Sequence, residues 1–65
     1  MKIPEMIEEL VSRGWTQRAI ARQIGVSQPT VHRAAAGGAI FYDTGKAIER
    51  LYEQVTSHKA SDEAA

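Results

Sequence analysis

The sequence predicts an all-α fold, a compact bundle of four to five short helices, and three observations carry that expectation. Apolar residues recur at helical spacing along most of the chain: Ile3, Ile7, Leu10 and Val11, then Ile20 and Ile24, then Val31 and Ala34, and last Ile48, Leu51, Tyr52 and Val55. Caps and breakers punctuate these stretches, with Thr16 and Ser27 ahead of two of them and Gly14, Gly25 and Gly37-Gly38 behind three. The third observation is size. A chain of 65 residues without cysteine has no disulfide framework and must hold one domain together by helix packing or by a partner chain.

The first helix is expected over 3–13. Pro4 suits a first turn, where its missing N–H costs nothing, and Glu5, Glu8 and Glu9 sit toward the positive end of the helix dipole. Ile3, Ile7, Leu10 and Val11 form its buried stripe, Met6 can extend it, and Gly14 ends it. Trp15 then precedes the Thr16 cap, where it can staple onto the next helix or, as the sharper alternative, stack on a base or sugar; core packing is favoured, because a small domain gains most from burying it.

The second helix is expected over 17–24 and the third over 28–36, joined by a tight turn at Gly25. Ile20, Ile24, Val26, Val31 and Ala34 can meet in one core, Ala21 is small where the two helices cross, and Asp43 or Thr44 is expected to cap a last helix running to about Ser57. Two helices crossing on a short turn make a helix-turn-helix over 16–36. Its third helix leaves Gln28, Pro29, His32 and Arg33 on the outer face, with Thr30 flanking. Arginine can make a bidentate contact to guanine O6 and N7, glutamine can pair with adenine N6 and N7, and proline offers only apolar contact, as to a thymine methyl. Gln17, Arg18 and Arg22 on the second helix, with Ser27 and Thr30 at the start of the third, are the candidate contacts to the DNA backbone.

Between the helix breaker and the last helix, 39–42 is a short apolar run that reads as a loop or short turn rather than a strand, since a lone four-residue strand has no partner. Ile40, Phe41 and Tyr42, with Tyr52 and Val55 of the last helix, are the candidate dimer residues. The broad apolar face of that last helix can serve the core alone or be shared with a second subunit, and the shared reading is preferred. Residues 1–58 are expected to form the single domain and 59–65 a flexible tail.

Formal net charge is zero, but charge is distributed unevenly. No acid lies between Leu10 and Tyr42, while Arg13, Arg18, Arg22 and Arg33 give that segment a charge of +4; Glu5, Glu8, Glu9, Asp43, Glu49, Glu53, Asp62 and Glu63 all lie outside it. Solvated helix faces would also accommodate four arginines. Their coincidence with the helix-turn-helix favours a positive face for phosphate. No nucleophile–base pairing accompanies His32, and His58 is too distant in sequence to form a metal pair with it, so no enzyme activity, metal or cofactor is expected. No apolar run approaches the roughly 20 residues of a membrane span, no signal peptide opens the chain, and nothing points to a small-molecule ligand; a cytoplasmic protein of a bacterial host is expected, on the nucleoid when bound to DNA.

The run Gln17-x-x-x-Ala21-x-x-x-Gly25-Val26-Ser27-Gln28-x-x-Val31 resembles the signature of the Cro/CI (lambda repressor-like) helix-turn-helix proteins of phages and prophages. The stretch from Phe41-Tyr42-Asp43-Thr44-Gly45-Lys46 to Ala47-Ile48-Glu49-Arg50-Leu51 is similar to the last helix of small phage-type members, so the resemblance covers residues 15–52. It implies a compact bundle of about five helices, operator binding as a homodimer, and transcriptional repression. By resemblance Gln17 takes the phosphate-contacting position at the start of the second helix, and Gln28, Pro29, His32 and Arg33 take the base-contacting positions. Pro29 departs from the polar residue often found there, which removes one hydrogen-bonded readout, and the short chain implies that one of the usual helices shrinks to the turn at 40–43.

The expectation is therefore a sequence-specific, Cro-like regulator that binds a palindromic operator in double-stranded DNA as a homodimer, with helix 28–36 in the major groove. The alternatives are a protein-interaction module on the same fold, such as an antitoxin or adaptor, and a DNA-binding accessory of a recombination system.

Overall fold

The computed structural model describes residues 2–57, which form four helices and no strand: α1 (Ile3–Ser12), α2 (Gln17–Ile24), α3 (Gln28–Ala35) and α4 (Tyr42–Thr56). The all-α expectation holds, with four helices. The expected tail at 59–65, together with His58, lies outside the described residues.

Each helix starts and stops for local reasons. The Glu5 carboxylate reaches back to accept the Lys2 backbone N–H at 2.9 Å, and Pro4 stands in the first turn of α1. Thr16 Oγ1 accepts the Ala19 N–H at 3.0 Å and Ser27 Oγ accepts the Thr30 N–H at 3.4 Å, so both expected caps of the α2–α3 pair are in place. Gly25 closes α2 at φ 79°, left-handed backbone that a Cβ would make costly, and three residues later α3 begins.

The start of α4 differs from expectation. Its N-cap is Phe41, with extended backbone and no side-chain cap, and the helix begins at Tyr42, ahead of Asp43 and Thr44. A capping side chain must lie outside the first turn beside the free N–H groups; Thr44 is instead buried against the core. The loop reading of the apolar run holds for 39–41, while Tyr42 is already helical.

α1 and α2 each pack against both α3 and α4, with little contact between α1 and α2 or between α3 and α4. The four helices thus close a ring around one core of Met6, Ile7, Leu10, Ile20, Ala21, Val31, Ala34, Ile48 and Leu51. Trp15, Ile24 and Val26 lie half-buried on its edge, so Trp15 takes the packing role. Val11 is 45% exposed and does not complete the α1 stripe. It follows Leu10 by about 100° of helical turn, which carries it past the edge of the α3 and α4 contacts. No helix among the described residues is long and apolar enough to cross a membrane.

Candidate nucleic-acid interface

In this ring α3 and α4 face each other across the core, so the outer face of α3 points away from α4. Val31 and Ala34 anchor the inner face. At about 100° per residue, Gln28, His32, Pro29 and Arg33 then fall on one continuous outer arc of about 140°, and all four are exposed. They line an open groove of about 600 Å³, and Gln17 at the first position of α2 forms its other wall. The four candidate base-reading residues and the candidate phosphate contact thus meet in one concavity.

The remaining backbone candidates do not line this groove. Arg18 and Arg22 are exposed one helical turn apart on α2, and Arg22 lies about 100° round from Gln23, which lines hollows shared with α4. Among the described residues the ion pairs are Arg13 with Glu9 and Lys46 with Glu49, so Arg18, Arg22 and Arg33 keep their guanidinium groups uncommitted. Arg13, counted in the basic segment by sequence, is withdrawn by that pair at 2.9 Å. Ser27 and Thr30 are tied to each other, with their hydroxyl oxygens 2.8 Å apart. One hydroxyl donates within the pair, which leaves a single hydroxyl hydrogen for an outside acceptor such as phosphate.

Charge divides sharply at Gln17. Its α3 side, the groove just described, contains no carboxylate. Its α1 side is a smaller hollow of about 340 Å³ bounded by Glu5 and Glu8 with Pro4, Ile7, Val11 and Ala35. A polyanion is favoured on the first side and repelled from the second, so the molecule is polarised although its net charge is zero. Among the described residues no group of His, Asp and Glu side chains is placed to hold a metal ion.

The five candidate dimer residues do not form one patch. Phe41 and Tyr42 are 84% and 77% exposed at the start of α4, with Lys46 Nζ 5.9 Å from the centre of the Tyr42 ring. Tyr52 and Val55 are half-buried at the other end, Val55 about 20 Å further along the helix axis, beside Trp15. Ile40 also turns toward the core. Among the described residues the exposed large aromatics are therefore Phe41 and Tyr42.

No family model, curated protein or solved structure matches this chain.

Proposed function

We propose that the protein is a sequence-specific DNA-binding regulator of Cro-like type, with α2 and α3 acting as a helix-turn-helix and α3 entering the major groove. The observation that carries this reading is the acid-free groove joining Gln17 to Gln28, Pro29, His32 and Arg33. Arg33 and Gln28 supply bidentate donors and acceptors, Pro29 an apolar contact, and His32 a further donor to base or phosphate. Gln17, Arg18, Arg22 and the Ser27–Thr30 pair hold the backbone and set register.

A titration with a mixed-sequence duplex over a range of salt concentrations tests the DNA reading. Affinity should fall linearly on a log–log plot, and Arg22→Ala, by removing one phosphate neutralisation, should make the slope shallower by about 0.9. Absence of binding to any duplex argues for a protein-interaction module instead; binding with an unchanged Arg22→Ala slope removes Arg22 from the interface.

Homodimerisation is part of the same reading, and Phe41 and Tyr42 are its natural surface, because two large aromatics side by side in water are a standing incentive to associate. Replacing both by serine should convert the dimer to monomer in sedimentation equilibrium with the helical circular dichroism signal retained, because neither ring is in the core and serine at position 41 can cap α4. A double variant that remains dimeric moves the interface elsewhere, the Tyr52–Val55 end of α4 being the next surface.

A further inference from the structure

We propose that Gly38 is a positioning residue for Arg33: the absent side chain at 38 leaves room for the arginine stem and so admits the χ1 rotamer from which the guanidinium is presented to the groove. The consequence for DNA rests on the base-reading role of α3, whereas the packing itself does not.

The geometry comes from how three helices end. α1, α2 and α3 are each followed by a glycine at positive φ, namely Gly14, Gly25 and Gly37. In each case the next residue folds back, so that its N–H donates to a carbonyl in the last turn: Trp15 to Leu10 at 3.0 Å, Val26 to Ala21 at 3.0 Å, Gly38 to Arg33 at 2.9 Å. At such closures the residue after the left-handed glycine commonly packs an apolar side chain onto the helix it has just left. Trp15 and Val26 carry such apolar side chains, both half-buried against the core. Gly38 is the exception, with no side chain at the same place.

What occupies that place is the Arg33 stem. A Cβ built on Gly38 would lie 2.6 Å from Arg33 Cγ, well inside the roughly 3.5–4.0 Å at which carbon atoms rest in contact, and at a tight 3.2 Å from the Arg33 carbonyl oxygen. Cγ is the first atom beyond Cβ, so its place is set by χ1 alone, and in a helix only two χ1 wells are generally open to a long side chain. A methyl at 38 therefore cannot be accommodated by bending the far end of the arginine. It forces χ1 into the other well and carries the guanidinium to a different part of the groove. Gly38 does not need a special backbone conformation here; it needs to be small.

Two measurements on Gly38→Ala decide the matter. In the free protein, three-bond couplings from the Arg33 backbone nitrogen and carbonyl carbon to Cγ report χ1 without DNA. The wild type should populate the χ1 well in which Cγ lies over Gly38, alone or in exchange with the other, and Gly38→Ala only the other; identical couplings in the two proteins overturn the proposal. For binding, the duplex selected by the wild type is compared with one bearing 7-deazaguanine at the guanine whose preference Arg33→Ala relaxes. Gly38→Ala should bind the guanine duplex about fivefold or more weakly and lose discrimination against the 7-deaza form. In the Arg33→Ala background the same change should have no further effect. An equal loss on both duplexes, or one that persists without Arg33, marks a structural role only and overturns the proposal. If Gly38→Ala unfolds, the double variant Arg33→Ala/Gly38→Ala should regain stability because the colliding Cγ is gone, and failure to do so overturns it as well. If Arg33→Ala binds every duplex as the wild type does, the base-reading role of Arg33 has failed, and the couplings alone still decide the packing.

Discussion

Leu10→Ala should abolish most of the fold near physiological temperature. Leu10 has no exposed surface and sits where α1 meets the core shared with α3 and α4. Truncating a buried leucine to alanine costs about 2–5 kcal/mol, the lost transfer free energy plus that of the cavity left behind. A core of this size rarely supplies more than about 3–5 kcal/mol of net stability, so the loss is comparable to the whole. Urea unfolding followed by helical circular dichroism should place the midpoint far below that of the wild type, or show no folded baseline. The next residue provides the contrast: Val11 is 45% exposed, and Val11→Ala should cost no more than about 0.5–1 kcal/mol. Similar costs at both positions would contradict the core described here.

Arg33→Ala should leave that stability intact and weaken DNA binding by about 1–3 kcal/mol, roughly 5- to 150-fold, with the loss concentrated at one base pair. The guanidinium is exposed and joins no ion pair among the described residues, so its removal takes nothing from the core. Its effect should differ in kind from that of Arg22→Ala. Removing a phosphate partner at Arg22 weakens all sequences alike and reduces the salt slope, whereas removing a base partner at Arg33 flattens preference and leaves most of the slope. A loss at Arg33 that is uniform across sequences would remove it from base reading.

The two halves of the molecule were unequally legible in the sequence. The α2–α3 pair announced itself because its limits are set locally: a threonine or serine oxygen on a free N–H, a glycine where the backbone turns left-handed, and an outer arc that follows from 3.6 residues per turn. The clustering of Gln28, Pro29, His32 and Arg33 was contained in that period, and only the approach of Gln17 from the neighbouring helix needed tertiary structure. Elsewhere the local code gave less. Val11 sits at the right spacing for the α1 stripe, but spacing does not say where the packed neighbours end. Phe41 caps α4 with no polar side chain, and the nearest capping residue types, Asp43 and Thr44, both lie inside the helix, Thr44 buried. The dimer candidates were grouped by apolar character, and a helix of 15 residues then held Tyr42 and Val55 at opposite ends. Gly38 read as half of a helix-breaking pair; its proximity to Arg33 exists only once the chain has folded back past Gly37.

That the acid-free groove on α3 reads DNA sequence is tested most directly by selecting bound duplexes from a random pool. The expected result is enrichment of a short palindrome whose half-sites lie about one helical turn apart, roughly 34–36 Å, with a guanine preference that disappears when the selection is repeated with Arg33→Ala. A pool that emerges with no consensus, or the same consensus from both proteins, would contradict it.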